Sequence, residues 1–371
     1  MKTEIIAIEG TTPGTRIELV ALHFGEAGSG PKAYIQAGLH ANEAPGLLAA
    51  HHLRERLTAL EAAGGITGEI VLVPAANPLG FAQHVQGSHH GRFALGDGIN
   101  FNRNFPFLVD IVAERAGHAL GHDAARNRDV IRAALRAAIS QVPCIRPAEY
   151  LKRGLLSLAI DADTVLDLHC DGEAEMHLYT LPSQAEAFQP LSRLLGARAV
   201  LTSTESGDYP FDEAISRLWV ELARRFPDRP VPEASIACTV ELRGEADVGH
   251  GLAAADAEAI IGFLAARGHL ANAPQALPPA LCEPTPLEGT EALSAPMAGL
   301  IVYHRQVGDW ISTGDIVVEI VDPMDGHVVP VRATTEGRLF ARAGDRFAYA
   351  GKRLGKIAGK IPFRTGKLLS P

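Results

Sequence analysis

Three groups of residues in this sequence have the types and spacing that metal-dependent chemistry requires. His40 and Glu43 are separated by two residues, and Asp167 and His169 form a second group far along the chain. His, Glu and His form the ligand set of one class of catalytic zinc site, in which a fourth position is left for water. The third group is Glu241 alone, a separate carboxylate that could act as a general base toward that water.

The elements that must position these residues alternate between strand and helix. Apolar, β-branched runs predict strands, and stretches of good helix formers with helical periodicity predict helices. The predicted strands are 16–24, 33–37, 69–74, 164–168, 177–181 and 235–242, and the predicted helices are 45–60, 123–141, 213–225 and 253–266. This alternation indicates an α/β fold with helices on both faces of a mixed or mostly parallel sheet.

The three groups all lie at the ends of predicted strands. Ligands of such sheets bind at loops that leave the carboxyl ends of the strands, so we expect the groups to meet there. Asp167 and His169 are two residues apart and would face the same side of a strand. Asp167 could therefore orient the ring of His169.

Composition limits what the chain can be. It has 371 residues, 47% of them hydrophobic and 21% charged, so two domains with large cores are expected. The net charge of −9 argues against binding nucleic acid through its phosphates. No apolar run approaches the length of about 18 residues that a membrane span needs. The four cysteines lack CxxC spacing and no signal-peptide pattern is present, so we expect a cytoplasmic protein.

The predicted domain organisation follows from changes in composition and in the secondary-structure pattern along the chain. Residues 1–270 carry the strand–helix alternation and are predicted to form the catalytic domain. Residues 271–288 are rich in proline and lack periodicity, which predicts a linker. Residues 289–371 contain short strands with regular turns, which predicts a small all-β domain.

The motifs GLHANE, NFNRNFP, DLHCD and TVEL occur in one order along the chain. From about residue 33 to residue 266, this order resembles the succinylglutamate desuccinylase/aspartoacylase family of the zinc carboxypeptidase superfamily. The resemblance implies a zinc-carboxypeptidase-like mixed sheet flanked by helices. It also implies one Zn²⁺ per chain, held by His40, Glu43 and His169.

The resemblance assigns roles to four further residues. Asn102 and Arg103 match the pair that binds the substrate carboxylate, and a guanidinium can give a carboxylate two parallel hydrogen bonds. Arg92 matches the arginine that polarises the scissile carbonyl and steadies the oxyanion. Glu241 matches the general base that activates the water.

Simpler interpretations of these residues stay open at this point. An HxxE pattern arises by chance in a chain with 15 histidines. Arg103 could lie on the surface or cap a helix, and Glu241 could form a salt bridge with Arg243 at the end of its strand. His89 and His90, next to Arg92, are expected to be solvated loop histidines.

The last domain resembles the biotinyl/lipoyl hammerhead fold through its Ala295-Pro296-Met297-Ala298-Gly299 segment and the turn at 307–315. Carriers of that class bear a lysine on a hairpin tip, whereas residues 321–326 here contain none. We therefore expect the domain to cover the active-site cleft or to mediate assembly. Peptidases of the superfamily also place a tyrosine near the substrate. None follows Glu241, although Tyr303 or Tyr349 could reach the site.

The sequence thus predicts a zinc-dependent amidohydrolase that cleaves the amide of a small N-acyl amino acid or related N-acyl amine. Two alternatives are a zinc carboxypeptidase acting on short peptides and a non-catalytic protein that binds a small ligand. The expected partner is a small molecule and not nucleic acid or a membrane. Assembly into a homo-oligomer is possible.

Overall fold

The computed structural model describes residues 1–273 and 275–369. The strands before the C-terminal domain are β1 (Lys2–Ala7), β2 (Glu18–Gly25), β3 (Lys32–Ala37), β4 (Glu69–Val73), β5 (His84–Val85), β6 (Ser88–His89), β7 (Thr164–Asp171), β8 (Glu173–Ala174), β9 (His177–Thr180), β10 (Ala199–Thr202), β11 (Ile236–Gly244) and β12 (Pro284–Pro286). The helices are α1 (Ala44–Ala62), α2 (Pro78–Phe81), α3 (Val109–Ala116), α4 (Ala124–Ile139), α5 (Pro147–Ala159), α6 (Gln189–Leu195), α7 (Phe211–Arg225) and α8 (His250–Ala266).

Nine of these strands form one mixed sheet, in the order β1-β2-β4-β3-β7-β11-β9-β10-β12. The central strands β4, β3, β7 and β11 are parallel, while β1 and β2 at one end and the β11–β9 pair are antiparallel. Helices α1, α6 and α8 pack on one face and α3, α4, α5 and α7 on the other. The predicted α/β architecture with a mixed sheet is confirmed.

Strand β7 lies in the middle of this sheet and fixes the orientation of the chemical groups at its end. Val165 packs in the core on the α7 side, whereas Leu166 and Leu168 pack in the core on the α1 side. Because side chains alternate along a strand, Asp167 and His169 both face the α7 side. They do so at the carboxyl end of β7, as the spacing predicted.

Helix α5 was not predicted from the sequence, although it supports the site. It begins at Pro147, a residue that suits the first turn of a helix, and the Glu149 side chain accepts from the backbone N–H of Arg146. Its apolar face packs into the core on the α7 side. Its Lys152 side chain reaches the loop that carries Arg103.

The predicted linker contains an ordered strand. Residues 284–286 form β12, which pairs in parallel with β10 at the edge of the nine-stranded sheet. Proline is tolerated there because an edge strand has one side without ladder hydrogen bonds. Part of the proline-rich segment therefore extends the nine-stranded sheet. The domain boundaries at residues 270 and 289 stay a prediction.

The C-terminal region is built from β-strands packed around a core that includes Ile301, Val317, Leu339 and Ile357. Its strands are β13 (Thr290–Ser294), β14 (Gly299–Tyr303), β15 (Trp310–Ile311), β16 (Ile316–Val321), β17 (Val328–Arg332), β18 (Gly337–Arg342), β19 (Phe347–Ala348) and β20 (Arg353–Gly359). One sheet has the order β17-β16-β14-β19, and the other has β13-β20-β18-β15. The all-β character is as predicted, and the likeness to a hammerhead stays a prediction.

The two domains share a sheet and a small core. Strand β8, from the catalytic domain, pairs with β18 of the C-terminal domain. Glu173 beside this pair binds Arg342 at 2.6 Å and also binds Arg346. Tyr179 and Phe340 belong to one buried apolar cluster that spans both domains. Among the described residues, no helix is both long and apolar enough to cross a membrane.

Candidate metal centre and active site

The structure brings His40, Glu43 and His169 together at the carboxyl ends of β3 and β7. Nδ1 of His40 lies 2.7 Å from Oε1 of Glu43, and Nδ1 of His169 lies 2.8 Å from Oε2. One ligand atom from each residue lies within 4.8 Å of the others, and each residue is at most 3% exposed. The cluster forms because His40 occupies the turn after β3, Glu43 starts α1, and β7 is the neighbour of β3.

The remaining ring nitrogens of the two histidines are also held. Nε2 of His40 lies 2.8 Å from Oδ1 of Asn100, and Nε2 of His169 lies 2.9 Å from Oδ2 of Asp167. Gln36 donates to the other oxygen of Asp167 at 2.9 Å. Such outer contacts fix the rings so that Nδ1 faces inward. The donor set and its buried supports therefore fit a zinc ion.

Three ionisable groups lie close together in this buried cluster, and burial and their mutual interactions shift their pKa values. Burial and the nearby Arg92 guanidinium lower the pKa of His40 to about 4. Burial alone would raise the pKa of Glu43, but the two histidines hold it well below the ordinary value. Burial alone would lower the pKa of His169, but Asp167 and Glu43 raise it well above the ordinary value. A divalent cation would compete with protons for these groups.

Arg92 lies against this cluster. Its NH1 atom is 3.1 Å from Oε1 of Glu43 and 3.2 Å from Nδ1 of His40. The preceding Gly91 makes this approach possible, since its carbonyl accepts from the N–H of Ala41 at 3.0 Å. A Cβ at Gly91 would lie 2.3 Å from the backbone nitrogen of Asn42, which no side chain could tolerate.

Asn102 and Arg103 line the same cleft as His40 and His169. Oδ1 of Asn102 accepts from the N–H of Phe211 at 2.9 Å, which ties the loop to the start of α7. Arg103 is buried, which lowers its pKa, and its NH1 donates to the carbonyl of Asn102 at 2.7 Å. Lys152 donates to the carbonyl of Arg103 at 2.6 Å. Arg103 is therefore neither on the surface nor a simple helix cap.

Glu241 lines the cleft from β11, directly opposite His169 on β7. Burial and the neighbouring Glu43 carboxylate raise its pKa to about 8. The alternative partner, Arg243, instead forms a paired contact with Asp256 on α8. The salt bridge that would have explained Glu241 structurally is thus absent.

His89, Tyr303 and Tyr349 lie outside the cleft. His89 stacks on His84 with ring centroids 4.5 Å apart. Burial raises the pKa of the Cys170 thiol far above its usual range, so this cysteine is inert. The Tyr303 hydroxyl donates to the carbonyl of Leu354 at 2.7 Å, and Tyr349 is 68% exposed. Neither tyrosine lines the cleft, so neither supplies the group considered from the sequence.

Sequence reasoning missed other residues that line the cleft. Tyr179 on β9 and Lys356 on β20 lie beside Glu241. Asp212 and Glu213, at the start of α7, have pKa values raised to about 6 and about 7, chiefly by burial. An acidic pair at a helix start is a weak signal that could have drawn attention to the last two. No pattern marks Lys356, because its position depends on how the domains dock.

Known proteins with similar sequences or structures point to one family. The pattern of the succinylglutamate desuccinylase/aspartoacylase catalytic domain matches residues 29–130. A Shewanella amazonensis SB2B protein described as belonging to that family is 25% identical, covers 97% of this chain and 99% of its own, and superposes with a TM-score of 0.84. A Shewanella frigidimarina NCIMB 400 protein described in the same terms is 25% identical, with coverages of 96% and 97% and a TM-score of 0.83.

A third solved structure is similar in fold. The product-bound ectoine utilization protein EutE (DoeB) from Ruegeria pomeroyi is 18% identical, covers 93% of this chain and 89% of its own, and has a TM-score of 0.63. No curated protein matches the chain.

Proposed function

This chain belongs to the succinylglutamate desuccinylase/aspartoacylase family, and we propose that it is a zinc-dependent amidohydrolase that removes the acyl group from a small N-acyl amino acid or related N-acyl amine. The observation that carries the proposal is the buried His40–Glu43–His169 cluster, with the carboxylate of Glu241 in the same cleft. A protein that only binds a ligand has no need of a separate carboxylate in the same cleft as a cluster of metal-ligand type.

The proposed roles follow from the contacts. His40, Glu43 and His169 would hold the zinc ion, which when bound acidifies water and polarises a carbonyl. Glu241 takes the proton from the attacking water and passes it to the nitrogen of the leaving amine. A carboxyl with a pKa raised to about 8 in the metal-free protein is well matched to accepting and returning a proton near neutral pH.

The cationic side chains of the cleft stabilise the negative charges of the substrate. Arg92 donates to the carbonyl oxygen as that oxygen becomes negative, because its guanidinium already lies beside the metal cluster. Asn102 and Arg103 hold a substrate carboxylate. The net charge of −9 repels an anionic substrate at long range, so these local cations must supply the attraction.

The test is hydrolysis of a panel of N-acetyl and N-succinyl amino acids and of matched dipeptides by the zinc-loaded protein, with release of free amine as the readout. We expect one zinc per chain and hydrolysis of N-acyl amino acids. Glu241→Gln should lower kcat by about 10²-fold or more, the size of a general acid–base contribution. Glu258→Gln, on the exposed side of α8, is the matched control and should behave as wild type.

Three results would count against the proposal. Preference for the dipeptides would favour the carboxypeptidase alternative. Tight ligand capture without turnover by the zinc-loaded protein would favour the binding-protein alternative. Loss of activity in Glu258→Gln equal to that in Glu241→Gln would remove the special role of Glu241.

A further inference from the structure

Lys356, on β20 of the C-terminal domain, reaches into the cleft of the catalytic domain. It lines the cleft that contains His40 and His169, and it also lines the adjoining opening that contains Glu43 and Arg92. Its side chain is only 18% exposed. An ammonium group placed there has lost much of its hydration, which is unfavourable unless partners compensate it.

The partners of Lys356 come from three neighbouring strands of the catalytic sheet. Its Nζ donates to Oδ2 of Asp171 at the end of β7, and it interacts electrostatically with Tyr179 on β9. Glu241 lies on β11, the strand between these two, and also interacts with Lys356 electrostatically. The ammonium is therefore bound to Asp171 and lines the cleft together with Tyr179 and Glu241.

Glu241 needs such a neighbour. Its Oε2 atom is buried and has no hydrogen-bond partner among the residues that the structure describes. A carboxylate that must point at one water requires something to restrict its rotation. Asp171 anchors the lysine, and an anchored cation attracts the carboxylate toward one orientation.

Domain docking alone does not account for Lys356. The pairing of β8 with β18 and the contacts of Glu173 with Arg342 and Arg346 already join the domains at the rim. The Arg346 side chain is more exposed than that of Lys356, and neither arginine contact requires a lysine in the cleft. Lys356 instead lies beside Glu241, whose carboxylate transfers the proton in the proposed reaction.

We propose that Lys356 is a positioning residue for Glu241, so that the C-terminal domain forms part of the catalytic apparatus and does more than cover the cleft. This inference rests on the proposed function, since it assumes that Glu241 is the general base. In this arrangement Asp171 holds the ammonium, and the charge of the ammonium orients the Glu241 carboxylate toward the water.

The experiment is a double-mutant cycle on the zinc-loaded full chain. Lys356→Met should lower kcat by about 10- to 100-fold, part of the contribution of a general base, with KM changed less than about twofold and zinc content unchanged. In a Glu241→Gln background the same substitution should cause almost no further loss, because the group that it positions is gone. If the Gln background is too slow to measure, Glu241→Asp serves, and there the loss should be smaller than in wild type.

Lys352→Met is the matched control. Lys352 belongs to the same domain, pairs with Asp345 much as Lys356 pairs with Asp171, and is 17% exposed, yet it does not line the cleft. Its kcat should stay within about twofold of wild type. Lys356→Arg, which keeps the cation, should recover much of the lost kcat. If Lys356→Met unfolds at a much lower temperature than Lys352→Met, the kcat of Lys356→Arg is used to test the inference instead.

Several outcomes would overturn the inference while leaving the proposed function standing. Equal losses from Lys356→Met in the wild-type and Glu241→Gln backgrounds would show that the lysine acts independently of Glu241. A raised KM with unchanged kcat would make it a substrate-binding residue. No recovery in Lys356→Arg, with equal losses in both lysine variants, would make its role structural. If wild-type protein loaded with zinc hydrolyses no amide, the proposed function itself fails.

Discussion

The two sides of the cleft are built in different ways. On the metal side, where we propose the metal site, one domain supplies His40, Glu43 and His169, each at the end of a central strand or in the turn that follows it, and the cluster is almost fully buried. On the opposite side, another domain supplies one lysine, which binds Asp171 of β7 across an interface and lines the cleft with Glu241 and Tyr179. The metal side depends on local sheet topology, and the lysine side depends on docking. We therefore expect substitutions on the metal side to abolish function and substitutions at the interface to reduce it by degrees.

The largest expected effect is at His169. His169→Ala removes a ligand and leaves Glu43 with only His40 as a buried ligand partner, so the protein should lose stoichiometric zinc and all measurable hydrolysis. Metal analysis after gel filtration and amine release would measure both. His177→Gln, at another buried histidine two strands away in the sheet, should retain the metal. Full zinc occupancy in His169→Ala would contradict the ligand assignment.

Arg92 gives the next largest effect. Its guanidinium contacts Glu43 and His40 of the proposed metal site, so Arg92→Ala should lower kcat by about 10²- to 10³-fold, the usual loss when an oxyanion donor is removed. Arg353 of the C-terminal domain lines the opening to the same site but has no contact with the cluster. We expect Arg353→Ala to lower kcat by no more than about threefold. If Arg92→Ala and Arg353→Ala lower kcat by similar factors, the two sides of the cleft do not differ in the way that we expect.

A smaller effect is expected at Asp167, which supports His169 without belonging to the ligand set. Asp167→Asn keeps the size of the side chain but weakens the hold on the ring, so zinc affinity should fall by about 10- to 100-fold. Competition with a chelator of known affinity would measure it. Asp163→Asn, just before the same strand, is the control, since Asp163 binds Arg132 at 2.9 Å and lies away from the cluster. An unchanged affinity in Asp167→Asn would mean that His169 is oriented by its other neighbours.

The metal side could be anticipated from sequence because its residues are fixed by short-range rules. His40 and Glu43 share one turn, and Asp167 and His169 share one strand face, so their relative placement needed no knowledge of the whole fold. That β3 and β7 are neighbours did not follow from the pattern, and it is what brings the two groups together. The family was correctly predicted from the order of these motifs.

The remaining features could not be predicted, for physical reasons. Lys356 lies about 100 residues beyond Glu241 in a different domain, and its position is set by the packing of two surfaces. Helix α5 follows a proline-containing loop. Its contact with the site is a hydrogen bond from Lys152 to a backbone carbonyl, a group that every residue has, so no sequence pattern reveals it. The strand β12 was hidden because prolines normally argue against a strand, except at an edge.

The pH dependence of stability provides a further test of the burial of Glu241. Its pKa of about 8 in the folded protein exceeds the ordinary 4.5, so the carboxyl is protonated on folding. The stability that this provides is complete below about pH 4.5 and is lost as pH rises through about 8. Metal-free wild type should therefore lose stability relative to Glu241→Gln between about pH 5 and about pH 8, on the order of a few kcal/mol.

The measurement is thermal unfolding of both metal-free proteins across that range, with Glu258→Gln as a control that should follow wild type. Asp212 and Glu213 also have raised pKa values, but they are present in every variant and cancel in the difference. Parallel curves for wild type and Glu241→Gln would mean that Glu241 is better solvated than its surroundings indicate.

The smallest effect is expected at the rim of the interface. Arg346 binds Glu173 across the domains, but the side chains are 45% and 32% exposed, so water and salt screen the pair. Arg346→Ala should lower the free energy of unfolding by less than about 1 kcal/mol and leave kcat unchanged. Denaturant unfolding and steady-state kinetics would measure these. Only Lys356 lies beside Glu241, so Arg346→Ala should not lower kcat as Lys356→Met does. Equal losses of kcat in the two variants would mean that weaker docking of the domains explains both.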